Sequence, residues 1–195
     1  MKTALIACGA LAREIVSIVK KHSWPVDVVC IPALLHNRPQ RIPPAVQTRI
    51  SDLRQHYDRL IVVYGDCGTA GRLDKVLADE NVERLAGPHC YEMYGEATFA
   101  QLMNEEPGTY FLTDYLLRSF DSLVIKGMGL DKHPDLREVY FKNYRRIVYL
   151  AQEDDPDLRE RAEKAAQKLN LPLEVRQVGY GGLERRLIAL MTARD

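Results

Sequence analysis

Five residues with soft or imidazole donors occupy four short stretches, each directly after an apolar run: Cys8 in "ACGA", His36 in "LLHNRP", Cys67 in "YGDCGT", and His89 with Cys90 in "GPHCYE". The chain has four cysteines and five histidines in all, so five of those nine fall in these four stretches. None forms a CxxC pair, and any common site must therefore be assembled by the fold. Thiolates and imidazoles are the ligands of zinc, which takes four of them in a closed structural site, or three plus water in a catalytic one. Cys8, His36, Cys67, His89 and Cys90 are the candidate metal ligands on this basis. Three thiolates also suit a 4Fe–4S cluster with one open iron. The imidazoles tilt the expectation toward zinc. With no metal, Cys67 at a helix start reads as an activated nucleophile, and His36 or His89 as its base.

Neighbouring polar residues extend the candidate site. Asn37 and Arg38 have the chemistry to orient a substrate carboxylate or phosphate, Arg38 through a two-pronged contact. Asp66 either orients a ligand imidazole or caps the helix that follows it. Glu92, two residues after Cys90, suits a general base acting through water, and Asp114 either projects into the same crevice or caps a helix. Cys30, inside the apolar run "DVVCIP", reads as a small buried hydrophobe. His22, His56 and His133 have structural positions near helix ends. Tyr140, Lys142 and Tyr144 form a basic-aromatic cluster fit for a planar ligand, an interface or a core edge.

These stretches sit where strands give way to helices. "TALIAC", "VDVVCIP", "RLIVVY" and "VERLAG" read as four strands, with helical periodicity in "GALAREIVSIVKKH", "RIPPAVQTRISDLRQHY" and "TAGRLDKVLADEN" between them. Strand and helix alternating in this way define βαβ units and a parallel sheet. A more helical region follows, and "RRIVYLAQ" and "LEVRQVG" restore the strand pattern around the helix "DLRERAEKAAQKLN". The expected fold is α/β: a parallel sheet of five to six strands, helices on both faces, Rossmann-like or flavodoxin-like. The chain is expected to be one α/β domain over residues 1–195, with 1–90 and 91–195 as its possible lobes. In such sheets ligands bind beyond the carboxyl ends of the strands, where all five donors fall. The acidic stretch "QEDDPDLRE" is expected to be a solvated helix start, where carboxylates suit the helix dipole.

Composition narrows the function classes. Hydrophobic residues make up 46% of the 195, which supports a sizeable core, and Lys plus Arg balances Asp plus Glu at 27 each. A chain with no net charge has no global field for phosphate backbone or anionic lipid, so nucleic acid and membrane are not expected partners. No apolar run reaches the roughly 18 residues of a membrane span, and the opening residues turn charged and helical where a leader would be cleaved. A cytoplasmic location follows, and with it reduced cysteines. The loop "GDCGTAG" lacks the GK[ST] ending of a P-loop, and "GYGG" is too short for a dinucleotide fingerprint. The apolar face of "LERRLIALM" and the tyrosine-rich segment are the surfaces available to a homodimer.

The quartet "IACGAL", "LLHNRP", "VVYGDCGT" and "GPHCYE", with "EEPGTYFLTDYL" and "HPDLREVYFKNYRRIVYL" after it, resembles a prokaryotic family catalogued as a domain of unknown function. The resemblance covers nearly the whole chain. It implies an association with corrinoid-dependent methyltransferase systems of one-carbon metabolism, and hence methyltransferase or corrinoid proteins as partners. It also marks Cys8, His36, Cys67, His89 and Cys90 as functional positions without assigning their roles. The combined expectation is a metal-binding α/β protein: a zinc-dependent enzyme of small-molecule chemistry, a transferase or lyase. An iron–sulfur enzyme, a non-catalytic metal or corrinoid accessory and a metal-free cysteine enzyme are the alternatives.

Overall fold

The computed structural model describes residues 2–85, 87, 89 and 92–193. The chain forms two compact units, Met1–Met93 with Gly182–Asp195, and Tyr94–Gly181. Both are α/β, and every strand pairing in them is parallel.

The first unit holds β1 (Thr3–Cys8), α1 (Ala12–Lys21), β2 (Val26–Ile31), α2 (Ile42–Leu53), β3 (Arg59–Val63), α3 (Arg72–Asp79), β4 (Glu83–Leu85) and, from the end of the chain, α8 (Gly181–Thr192). Its four strands run in the order β2-β1-β3-β4. All six residues of β1 are buried and four of the five in β3, as their unbroken apolar runs require when a strand is flanked on both sides. The chain goes from β1 outward to β2 and returns across β1 to β3. With right-handed crossovers, that reversal puts α1 and α2 on opposite faces of the sheet. This order is that of the flavodoxin-like doubly wound fold, whose ligand crevice opens between the carboxyl ends of β1 and β3.

Cys30 departs from expectation. It is exposed, because β2 is the edge strand of this sheet and alternate residues of its apolar run face outward.

In the second unit β5 (Thr109–Thr113), β6 (Arg146–Ala151) and β7 (Leu173–Gln177) form a three-stranded sheet in that order. With it go α5 (Asp114–Arg118), a π-helical turn at Asp121–Lys126, α6 (Leu136–Phe141) and α7 (Pro156–Leu169). The helix α4 (Glu92–Glu105) precedes β5 and breaks its helical geometry at Glu96. Among the described residues seven strands in two sheets thus replace the five or six expected, the additional one being β5. Leu158, Ala162, Ala165 and Leu169 form one buried stripe of α7 against this core, with Tyr149, Leu112 and Phe141 among its other members. The acidic stretch is a helix start: Asp155 caps α7, its carboxylate accepting from the amides of Asp157 at 2.9 Å and Leu158 at 3.4 Å. Among the described residues no helix is long and apolar enough to cross a membrane.

Candidate functional site

Three loops of the first unit meet at the crevice between β1 and β3. Cys8 is the last residue of β1 and Cys67 lies four residues past β3, each only 3% exposed. His36 lies in the short 3-10 helix Ala33–Asn37 that leaves β2, and it is exposed to solvent. Close backbone approaches fix the loops to one another. A Cβ on Gly9 would stand 3.0 Å from Ile31 O and 3.2 Å from Ala33 N, so glycine lets the exit of β1 press against the exit of β2. On the other side, a Cβ on Gly68 would lie 3.3 Å from Cγ of Pro39, which puts the loop after β3 against the chain just beyond His36. The amide of Asp66 donates to Gly87 O at 2.8 Å, which ties in the segment that follows β4.

The loop carrying Cys67 is an unusual piece of backbone. Cys67, Gly68, Ala70 and Gly71 all have positive φ, at 47, 82, 54 and 78°. Left-handed conformations cost a residue with a side chain roughly 1–2 kcal/mol, so Cys67 and Ala70 need an external tie. Asp66 supplies it. Its carboxylate accepts from Thr69 Oγ1 at 2.6 Å, from the amide of Gly71 at 3.0 Å and from the amide of Ala70 at 3.2 Å. The Thr69 hydroxyl, followed by the Gly71 amide, holds the Asp66 carboxyl below the usual carboxylate range. Its structural place is therefore that of a loop clamp, and its hydrogen bonds go to its own loop.

The side chain of Cys67 is the group that acts most strongly on the His36 imidazole, through hydrogen bonding. This influence raises the His36 pKa above the ordinary value near 6.5; burial opposes the rise, and the negative charges available to Cys67 and Cys8 add to it. Cys8 thus acts on the same imidazole. It also acts on Cys30, whose thiol is raised first by burial and then by Cys8.

The other sequence candidates lie as follows. Asn37 and Arg38 are exposed beside His36, with Arg38 ending the same short helix. His89 is half-buried in the segment after β4, and Cys90 lies outside the described residues. Glu92 opens α4, and its Oε2 is buried with no hydrogen-bond partner among the described residues. Asp114 belongs to the second unit and is fully buried at the carboxyl end of β5. It accepts from Tyr149 Oη at 2.7 Å and from the amides of Gln152 at 3.0 Å and Glu153 at 3.1 Å, with Arg118 at 3.8 Å. Burial raises its carboxyl pKa, and these contacts oppose the rise. Its neighbours make it the tie between the ends of β5 and β6. Tyr149 and Gln152, its partners here, carried no spacing signal in the sequence, because they stand 35 and 38 residues from Asp114. Among the described residues no group of three or more His, Cys, Asp or Glu could hold a metal ion as it stands.

A doubly wound sheet with a thiol–imidazole pair at its switch point is the class of protein that this geometry defines. By sequence the chain belongs to the family described as Protein of unknown function (DUF1638), whose model matches residues 30–187, a span that contains His36 and Cys67 and starts beyond Cys8. No curated protein and no solved structure matches the chain.

Two outcomes are expected. In metal-free protein the His36 ring proton signals titrate above pH 6.5, and Cys67→Ala moves the midpoint back down, as followed by NMR. The sign is that of a raised basic group. The stability His36 contributes is complete below about pH 6.5 and is lost as pH rises through the folded value. Asp114→Ala strands two amides and a tyrosine hydroxyl, and is expected to cost about 3 kcal/mol in urea unfolding, with Asp114→Asn costing less.

Proposed function

We propose that the protein is an enzyme of small-molecule chemistry whose reacting group is the Cys67 sulfur, held as thiolate by the His36 imidazolium. The observation that carries this reading is the convergence of the β2 and β3 exit loops at the switch point, where Pro39, just past His36, packs on Gly68, just past Cys67, and Cys67 is the first influence on the His36 imidazole. A charge pair that favours imidazolium favours its thiolate partner by the same free energy, and the thiolate is the nucleophile. Cys67 is buried while His36 is exposed, so a small substrate reaches the sulfur from the imidazole side. In the group-transfer step, Cys67 Sγ forms a bond to the electrophilic carbon of the substrate as that carbon's bond to its leaving group breaks. The electron pair departs with the leaving group, and His36 gives that group its proton. Arg38 and Asn37, exposed beside His36, would receive an anionic end of the substrate.

A second reading is supported by the influence of Cys8 on the same imidazole. Two buried thiols and one imidazole at one sheet edge are the donor chemistry of zinc, and Cys8, His36 and Cys67 would be its ligands, with Cys90 the further donor that the sequence offers. Zinc would supply a metal-bound thiolate or water near neutral pH. The described side chains would have to draw closer to hold it. A metal-dependent role in methyl transfer to or from a thiol belongs to this reading.

One experiment addresses both. Protein purified without chelator is assayed for zinc, iron and acid-labile sulfide, then treated with iodoacetamide at pH 6.5 before and after chelation. Rapid labelling of Cys67 in metal-free protein, slowed about tenfold or more in His36→Ala, is the result expected of the nucleophile. One zinc per chain, lost in Cys67→Ala and shielding Cys67 until chelation, selects the zinc reading. Slow labelling of Cys67 with no metal present would reject both.

A further inference from the structure

The second unit contains a cavity of about 330 Å³ between α5, the π-helical turn and α7. Arg118, Lys126, Arg161, Lys164 and Lys168 line it against the single carboxylate of Asp121, a local excess of four positive charges in a chain whose charges balance overall at 27 each. Its floor is apolar: Leu117, Phe120 and Ala165 line it and are 2%, 6% and 1% exposed.

The cations differ in how far they are committed. Arg118 is held by Glu153 at 3.1 Å. Lys168 pairs with Asp121 and Lys164 with Glu160, each at 2.5 Å and each between exposed side chains, where an ion pair contributes under about 1 kcal/mol and yields to a better anion. Lys126 and Arg161 have no ion pair or hydrogen bond among the described residues. They approach the cavity from different elements, the π-helical turn and α7. Arg161, Lys164 and Lys168 recur at helical spacing along α7, and the π-helical turn, a geometry frequent at functional sites, brings Lys126 to the same cavity.

We propose that this cavity binds a small phosphorylated organic molecule, with the phosphoryl oxygens on Lys126, Arg161 and Lys164 and the organic part over Phe120. A polyphosphate or phosphate ester carries the two or more negative charges that match the excess, and Arg161 offers a forked donor for two of its oxygens. The volume suits a ligand at the small end of the usual range. The site is separate from the Cys67–His36 pair, and the two readings stand or fall independently.

Calorimetric titration of the full-length protein with inorganic pyrophosphate, at about 50 mM and about 200 mM salt, tests it. The expected result is saturable one-site binding with Kd of about 1 mM or tighter at low salt, weakening as salt rises. The double variant Lys126→Glu with Arg161→Glu should weaken binding at least about tenfold. Both side chains are exposed, so its circular dichroism and urea midpoint should match the parent; Lys126→Ala with Arg161→Ala is the milder pair if they do not. Cys67→Ala should bind pyrophosphate as the parent does. The absence of saturable binding up to about 10 mM pyrophosphate, or the same Kd in the parent and a folded variant, would overturn the proposal.

Discussion

The fold-back of the loop after β3 is the constraint on which the candidate site depends. A buried strand that ends at a crevice would ordinarily pass straight into its helix. Here the Asp66 carboxylate gathers Thr69, Ala70 and Gly71 around itself, and the backbone of Cys67 is forced into the left-handed region. Only then does the Cys67 thiol meet the imidazole coming from the β2 side. The amide of the same Asp66 holds Gly87, so one residue sets the loop's shape and its neighbour's position together. A residue with a side chain at positive φ is a cost that stability alone does not explain, and observed strain of this kind clusters at functional sites.

Around that loop the sheet does the positioning. The reversal of strand order at β1 leaves the carboxyl ends of β1 and β3 side by side with their exit loops parted, and the two cysteines come from those two ends. The sulfurs are buried and the imidazole is exposed, which on the proposed reading would leave a protected nucleophile with a partner open to proton exchange with solvent. In the second unit the corresponding strand ends are occupied differently. Asp114, Tyr149 and Gln152 satisfy one another there, and the open chemistry lies among the cations beside α7.

The fold class was legible because β1 and β3 are near-continuous apolar runs and amphipathic helices separate the first four strands, a pattern with few other solutions. The fifth strand was harder to see: "TYFLT" runs without punctuation into α5, and five mostly buried residues cannot outweigh the helical period that follows. Cys8, His36 and Cys67 stood out because rare residue types recurred at one kind of position, the end of a strand. Cys30 was misread because an apolar run says that a strand is hydrophobic and not whether it lies at the sheet's edge. Asp66 could be read as a helix cap or an orienting group from sequence, and its bonds to Thr69, Ala70 and Gly71 depend on a loop shape that spacing does not reveal. The basic cavity had no linear signature, since Arg118, Lys126 and Arg161 become neighbours only when α5 and α7 pack.

The central claim is that His36 holds Cys67 as a thiolate. Thiolate absorbance near 240 nm, followed against pH in metal-free protein and compared with Cys67→Ala to isolate that one sulfur, measures it directly. The account predicts that the Cys67 signal persists well below the value near 8.5 typical of a free thiol, and that His36→Ala moves its loss upward by about one pH unit or more. A Cys67 signal that vanishes at the free-thiol value in both proteins would contradict it.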